Sequence, residues 1–149
     1  MPNDTATSGP TLLLDQQLCF ALHSASLAMT RVYQPQLEAL GLTYPQYLVM
    51  LVLWERDGLS VSELGARLFL DSGTLTPLLK RLEAASLLDR SRDRADERRV
   101  VIRLTAAGRA LKARAASVPG CVFAATQCGL EQITELTRQL KQLRERLAA

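Results

Sequence analysis

Three cysteines and two tyrosines are the residues of this 149-residue chain best suited to chemistry. Cys19 lies early in an apolar stretch, Tyr33 and Tyr44 follow it, and Cys121 and Cys128 lie near the far end. A free cysteine is usually a small buried core residue, so packing is the alternative explanation for each thiol. A thiolate, however, attacks peroxides to form a sulfenic acid, which condenses with a second thiol. The set therefore indicates a protein controlled by thiol chemistry, with Cys19 as its candidate redox residue.

The composition predicts a mainly helical, cytoplasmic protein. Leu and Ala dominate and aromatic residues make up only 5% of the chain, which favours helices over a β-sandwich or barrel. Residues 1–11 are polar and predict a frayed tail, without the positive region of a signal peptide. No stretch approaches the roughly 18 apolar residues of a membrane helix, so we expect no membrane partner. Structural disulfides are rare in the cytoplasm, so we expect free thiols.

Positive charge is concentrated in one part of the chain. The segment Lys80–Arg114 holds eleven of the 18 basic residues and five acidic ones, although the whole chain carries a net charge of only +3. A local basic stretch in a balanced chain is typical of nucleic-acid binding. The alternative is an ordinary solvated surface.

The first half of the chain predicts two helices. Apolar residues recur at helical spacing over Leu12–Tyr33, and Pro35 marks the turn that follows, with a brief helical continuation as the alternative. Thr43 is a candidate N-cap for a second helix over Pro45–Arg56, with Gln46 at the capping-box position. This second helix is almost entirely apolar, which predicts a central buried element.

The next segment has the pattern of a helix-turn-helix. Ser60 as N-cap, with Glu63 three residues on as in a capping box, predicts the start of a short helix in which Leu64, Leu68 and Phe69 face inward. The run 71–73 predicts a turn and cap, followed by a helix over Thr74–Ala85 with one apolar and one basic face. A plain helical hairpin is the alternative interpretation.

A basic hairpin follows directly. Leu87–Arg92 and Arg99–Leu104 read as strands around the charged loop 93–98. A helix-turn-helix followed by a hairpin is a winged helix, so the fold class predicted is mainly α with a small β-hairpin wing. We place the helix-turn-helix at about 60–86 and the wing at about 87–104. The wing tip can lay arginines across phosphates or into a minor groove.

The C-terminal region predicts a dimerisation element. Thr105 caps a helix toward Ser117, and Pro119–Gly120 interrupts it. The last helix carries apolar residues spaced 3, 4, 3 and 4 apart, as a heptad seam requires: Ile133, Leu136, Leu140, Leu143 and Leu147. This seam suits pairing with another helix, either in a homodimer or within the chain. We interpret 1–149 as one domain with dimerisation helices at about 12–34 and 105–147.

These segments resemble the MarR family of winged-helix repressors. The resemblance covers roughly residues 15–147 and is carried by four runs: 42–47, 71–83, 96–98 and 104–108. Within the family, Cys19 with Tyr33 and Tyr44 resembles OhrR, the branch that senses organic hydroperoxides. The resemblance implies a homodimeric repressor, not an enzyme, that binds a pseudo-palindromic DNA operator without a cofactor. An organic hydroperoxide, as inducer, would oxidise Cys19 and release the operator.

The resemblance also implies how the sensor is built. Tyr33 and Tyr44 match two family tyrosines that hydrogen-bond the sensing sulfur. Early helical turns favour negative charge, but no Lys or Arg lies close to Cys19 in sequence, so these hydroxyl donors matter. Cys19 and Tyr33 are fourteen residues apart on one predicted helix, roughly 21 Å at the usual rise. A sulfur in contact with Tyr33 should therefore belong to the other subunit.

The partner thiol is less defined by the resemblance. In the two-cysteine type of this branch it lies near the C-terminal helices of the opposite subunit, at a position that aligns near Ala124. On one helix, Cys121 and Cys128 would share a face about 10.5 Å apart, too far to pair with each other. We favour Cys121 because it adjoins Pro119–Gly120. A small external thiol, with both cysteines as buried fillers, is the alternative.

The resemblance assigns the DNA contacts to the second helix and the wing. The carried-over residues are Ser72, Thr74, Thr76, Lys80 and Arg81 on the helix, and Asp96 and Arg98 in the wing. Arg98 would reach the minor groove and Asp96 would steady it. Arg94 and Arg99 are interpreted as phosphate contacts or solvated side chains, and Pro77 implies a late helix start or a kink.

Three other functions remain open from the sequence. The chain could be a MarR-type repressor released by a small aromatic ligand, with Cys19 inert. It could be a thiol peroxidase, or an architectural DNA-binding protein without a switch. His23 has no partner at metal-ligand spacing, so we interpret it as structural or as part of a dimer interface and expect no metal site.

Overall fold

The computed structural model describes residues 12–149 and has the predicted winged-helix architecture. The tail predicted for 1–11 lies outside the described residues. A 3-10 turn at Leu14–Gln16 precedes the first helix. In chain order the elements are α1 (Leu18–Glu38), α2 (Tyr44–Glu55), β1 (Leu59–Ser60), α3 (Val61–Leu68), α4 (Ser72–Ala84), β2 (Leu88–Arg92), β3 (Val100–Leu104), α5 (Ala106–Ala115), α6 (Val118–Thr126) and α7 (Leu130–Ala148).

Helix α1 passes through the proline that was expected to end it. The helix runs to Glu38 with Pro35 inside, so the predicted turn at Pro35 is wrong and the continuation is observed. A proline inside a helix removes one backbone hydrogen bond. Here the extension places Leu37 in the core, where its side chain is only 2% exposed. Its burial offsets the lost hydrogen bond.

Helix α2 is the buried centre of the fold, as predicted. Its start is a complete capping box: the Gln46 amide donates to the Thr43 hydroxyl, and the Gln46 side chain accepts from the Thr43 amide. Tyr47, Val49, Met50 and Leu53 are all buried. Because its start is capped and one side is packed in the core, this helix supports the elements around it.

The helix-turn-helix consists of α3 and α4, each with the predicted polar cap. The Ser60 hydroxyl accepts from the Glu63 amide, and the Asp71 carboxylate accepts from the Thr74 amide. Phe69 was expected to face inward, but it is 64% exposed. It caps α3 in the left-handed conformation, φ 57°, which turns the chain and directs its side chain away from the core.

The wing is part of a three-stranded antiparallel sheet in the order β1-β3-β2. The hairpin strands agree with the predicted ones to within a residue. Strand β1 was not predicted, because two residues are too short to show an alternating pattern. In β3 the side chains of Ile102 and Leu104 are buried beneath the sheet, so the wing is fixed to the core.

Helix α5 contacts both α2 and Leu87, the residue before β2, at Gly108. Thr105 caps α5 as predicted, and the indole Nε1 of Trp54 donates to the Gly108 carbonyl at 2.9 Å. A Cβ at position 108 would lie 2.1 Å from the Leu87 carbonyl oxygen. The predicted interruption of this helix is observed at residues 116–117, and Pro119 itself lies in the first turn of α6, where its missing N–H is harmless.

Two glycine substitutions test this packing. We expect Gly108→Ala to lower the free energy of unfolding by about 1–3 kcal/mol, because the added methyl group overlaps backbone. Gly120→Ala is the matched control, since nothing lies within 4 Å of its Cβ position in α6, and it should be neutral or stabilising by up to about 1 kcal/mol. Urea unfolding followed by Trp54 fluorescence at one protein concentration measures both. Equal effects of the two variants would contradict the close contact.

Candidate nucleic-acid interface and thiol site

Helix α4 presents polar and basic side chains to solvent along its length. Ser72, Thr74, Lys80 and Arg81 are exposed on it. Thr76 is half-buried, and its hydroxyl donates to the Ser72 carbonyl at 2.7 Å. The helix begins at Ser72 with Pro77 inside, so the late start considered from the sequence is not observed. Hydrogen bonds from the Thr74 amide hold the pKa of the capping Asp71 below its ordinary value, so the cap stays ionised.

The wing tip is organised by Asp96. Its carboxylate accepts from the backbone amide of Arg98 at 3.1 Å, and its carbonyl accepts from the Arg99 amide at 2.9 Å. The Arg98 side chain is exposed and has no ion pair among residues 12–149. Asp96 therefore fixes the backbone from which Arg98 projects, whereas its contact with the guanidinium is not observed.

Arg99 forms ion pairs within the protein, although it was interpreted as a phosphate contact or a solvated side chain. Its guanidinium lies 2.5 Å from the Glu63 carboxylate on α3 and 3.7 Å from Asp93. Glu63 was expected to close a capping box on Ser60, but its carboxylate faces the wing instead. The partnership of Glu63 with Arg99 was missed because the two residues are far apart in sequence.

A second ion pair joins the wing to α4. The Glu83 carboxylate accepts from both the backbone amide and the guanidinium of Arg90 on β2, each at 3.2 Å. These hydrogen bonds hold the pKa of Glu83 below its ordinary value. The recognition helix and the wing are thus connected by charge as well as by packing. No sequence motif pointed to this pair.

The Cys19 thiol lies at the N-terminus of α1. Cys19 is the second residue of the helix and its side chain is exposed. The helix continues without a break past Tyr33 to Glu38, so Cys19 and Tyr33 are about 21 Å apart along the helix axis. The described chain does not bring its own thiol to its own tyrosines.

The tyrosines form a cluster of three rather than two. The ring centroids of Tyr33 and Tyr44 are 4.9 Å apart, and Tyr47 lies 5.7 Å from Tyr33 and 6.5 Å from Tyr44. Burial raises the pKa of all three phenols above the ordinary value of 10.0. Tyr47 was predicted only as part of the buried, almost entirely apolar helix over Pro45–Arg56. Its spacing of three residues from Tyr44 on a helix was the signal for the cluster.

The two C-terminal cysteines do not share a helical face. Cys121 is exposed within α6, whereas Cys128 follows the left-handed Gln127 that ends α6. The Cys128 thiol donates to the Thr126 carbonyl at 3.3 Å. The expected spacing of 10.5 Å along one helix is therefore wrong, because the helix ends between the two residues.

The described residues show no cluster of three metal-ligating side chains, and His23 is exposed on α1. None of the helices described is long and apolar enough to cross a membrane. An open apolar cavity of about 340 Å³ lies between α2, α5 and α6, lined by residues that include Tyr47, Trp54 and Lys112.

A capped helix-turn-helix joined to an arginine-rich hairpin defines a winged-helix DNA-binding regulator. Comparison with known families agrees, since residues 31–115 match the family described as Transcriptional regulator SarA/Rot. The chain belongs to the MarR family of winged-helix transcriptional regulators and is OhrR-like. It is a transcriptional regulator and not an enzyme.

Two relatives cover most of the chain. It is 54% identical over 136 residues to the HTH-type transcriptional regulator TtmR of Methylorubrum extorquens, covering 91% of this chain and 70% of that protein. It is 46% identical over 134 residues to the organic hydroperoxide resistance transcriptional regulator of Bacillus subtilis, covering 90% of this chain and 91% of that protein.

Solved structures of AbfR, a protein of Staphylococcus epidermidis, have the same fold. Reduced AbfR bound to DNA matches with a TM-score of 0.75 at 32% identity, covering 91% of this chain and 95% of that one. The disulfide form of AbfR matches with a TM-score of 0.62 at 33% identity, covering 91% and 90%. Overoxidised AbfR bound to DNA matches with a TM-score of 0.76, so this chain is closer in shape to the DNA-bound forms of AbfR than to its disulfide form.

The phenol titration provides a test of the tyrosine cluster, because the chain contains only these three tyrosines. Burial raises their pKa values, so the stability that the cluster contributes is present below about pH 10 and is lost as the pH rises through the higher native values. We expect phenolate absorbance to appear at higher pH in the native protein than in concentrated urea. Coincident curves would contradict the burial of the cluster.

Proposed function

We propose that this regulator is a homodimeric repressor that releases its operator when an organic hydroperoxide oxidises Cys19. The observation that carries the proposal is the unbroken helix α1, which separates an exposed thiol from the half-buried Tyr33 of the tyrosine cluster by about 21 Å. In a dimer with α1 antiparallel to its copy, each thiol lies near the other subunit's Tyr33 and Tyr44. The sensor is then complete only in the dimer.

Unpartnered apolar surface supports the homodimer. Helix α7 has no buried residue, although it carries the complete leucine seam. Leu136 and Leu140 are 51% and 40% exposed, and Leu22 of α1 joins the seam along a cleft of about 400 Å³. Packing of this seam within one chain leaves it open to water, whereas a second copy would cover it. The exposed apolar side chains of α1 extend the same surface.

The chemistry of the switch needs a peroxide and a second thiol. The Cys19 thiolate attacks one oxygen of the hydroperoxide, the O–O bond breaks, and the alkoxide leaves and takes up a proton to become an alcohol. The sulfur is now a sulfenic acid, oxidised by two electrons. A second thiol attacks it as the thiolate, the S–O bond breaks, and hydroxide leaves and is protonated to water.

We assign Cys121 as the resolving residue, with Cys128 second. Cys121 is exposed on α6 and its thiol makes no hydrogen bond in the part of the chain described, whereas the Cys128 thiol is half-buried and bonded to Thr126. The earlier reason for preferring Cys121, its neighbouring Pro119–Gly120, no longer applies, because those residues are helical. Accessibility now supports the preference.

On the DNA side, we propose that α4 enters the major groove and the wing the minor groove. Ser72, Thr74, Lys80 and Arg81 lie exposed on α4, while Thr76 contributes through its methyl group or after breaking its bond to Ser72. Asp96 holds the backbone of Arg98, and Arg94 contacts phosphate. The greater likeness to DNA-bound AbfR than to its disulfide form supports assigning this conformation to the DNA-binding form.

A second candidate function rests on the apolar cavity between α2 and α5. Its volume of about 340 Å³ suits a small aromatic molecule, with Trp54 and Tyr47 on its walls and Lys112 available to a carboxylate. The regulator would then respond to such a ligand, with Cys19 inert. Salicylate-induced release of the operator by a Cys19→Ser variant would support this function over the redox switch.

The wing assignment predicts a strong effect of one side chain. We expect Arg98→Ala to weaken binding to an inverted-repeat operator, selected with the purified protein, by at least about tenfold. The fold should be intact because the side chain is exposed and unpaired in the described structure. Lys141→Ala, which also removes an exposed cation but on α7, is the control. Fluorescence anisotropy measures both, and unchanged affinity of Arg98→Ala would remove the wing from the mechanism.

The redox proposal predicts that oxidation releases the operator and links the two subunits by a disulfide, both reversibly. One equivalent of cumene hydroperoxide should abolish operator binding, produce a dimer band on a non-reducing gel, and leave both effects reversible by dithiothreitol. Cys19→Ser should bind the operator regardless of oxidant, and Cys121→Ser should lose the dimer band, whereas Cys128→Ser should behave as wild type. Release that persists in Cys19→Ser would overturn the assignment of the sensor.

A further inference from the structure

The outer face of the wing sheet holds a cavity lined by four arginines. Its volume is about 550 Å³, and Arg92, Arg94, Arg99 and Arg103 line it with Asp93 as the single carboxylate. Three of these arginines belong to the hairpin tip or its ends. Arg103 lies further back on β3 and was not among the predicted DNA contacts.

Strand register shows that Arg103 points away from the core. Arg103 is paired with Asp89, and Ser91 with Val101, so these four residues share one face of the sheet. The buried Ile102 and Leu104 occupy the opposite face. Since side chains alternate along a strand, Arg103 is on the solvent side of the wing.

Ion pairing compensates only one of the four guanidinium groups, that of Arg99. Arg99 is committed to Glu63 and Asp93, and Arg92 donates to the Glu97 carbonyl at 2.7 Å. Arg94 and Arg103 are exposed and form no ion pair within residues 12–149. Asp89 lies opposite Arg103 in the register but does not pair with it there. The cavity therefore carries a net positive charge.

We propose that this outer face binds the phosphate backbone of the DNA that flanks the operator half-site. The inference rests on the proposed wing contact and extends it to Arg103. The cavity reaches from Arg94 at the tip to Gly58 before β1, across three strands spaced about 4.8 Å apart. That width of roughly 10 Å corresponds to two or three phosphate charges along one DNA strand. The surface adjoins Arg98, so one duplex can contact both.

The test compares two duplexes that carry the same selected operator. One ends at the outermost operator base pairs and the other extends by about one helical turn on each side. We expect Arg103→Gln to weaken binding to the extended duplex by about tenfold and to lower the slope of log K against log salt by about 1.8, which is 0.9 for each subunit. Binding to the trimmed duplex should be unchanged. Arg103→Lys should retain most of the affinity because it keeps the charge.

The outcomes separate this inference from the proposed function. Wild-type protein that fails to bind the operator overturns both. Loss of binding in Arg98→Ala with unchanged binding of the extended duplex by Arg103→Gln overturns only the flanking contact. Equal weakening on both duplexes also overturns it, because the effect then lies within the half-site. Lys141→Gln is the charge-matched control, and thermal unfolding verifies that Arg103→Gln is folded.

Discussion

The stiffness of helix α1 is the constraint on which the arrangement of this protein depends. A helix of 21 residues cannot fold back on itself, so a thiol in its first turn and a tyrosine fourteen residues later stay apart. The apolar side chains exposed between them are consistent with a surface that is covered on assembly. A sensor divided in this way would couple any change at the sulfur to the relative position of two subunits.

The helix-turn-helix and the wing are oriented relative to each other by weak ion pairs. The ion pair of Arg99 with Glu63 is substantially exposed on both sides, so it contributes at most about 1 kcal/mol to stability. The pair of Arg90 with Glu83 is only slightly less exposed. Both pairs nevertheless fix the wing relative to α3 and α4. The distance between recognition helix and wing is thereby set before DNA is met.

Helix α7 also contacts the helix-turn-helix. The Arg144 guanidinium lies 4.1 Å from the ring centroid of Phe69, the exposed residue at the turn between α3 and α4. Such a cation–π contact is worth about 0.5–1 kcal/mol at an exposed site. The C-terminal helix, whose seam is open in the single chain, is therefore in contact with the turn that positions the recognition helix.

The sequence by itself determined the elements whose interactions are local. The caps at Thr43, Ser60, Asp71 and Thr105 were predictable because each polar side chain bonds an amide only three residues away. The short strands of the wing and the almost entirely apolar helix α2 were likewise predictable from the local sequence. The positions of Cys19 and Tyr33 on one helix followed from the same periodicity.

Only the tertiary structure decided the contacts between distant segments. Arg99 and Glu63 are 36 residues apart, and nothing local distinguishes this partner from the capping-box bond that Glu63 was expected to make. The passage of α1 through Pro35 depends on a core position for Leu37, and Tyr47 joined the other tyrosines through the packing of α1 on α2. The separation of Cys121 from Cys128 depends on a left-handed residue, Gln127, whose type does not require that conformation. Packing energy, summed over many neighbours, outweighs these local preferences.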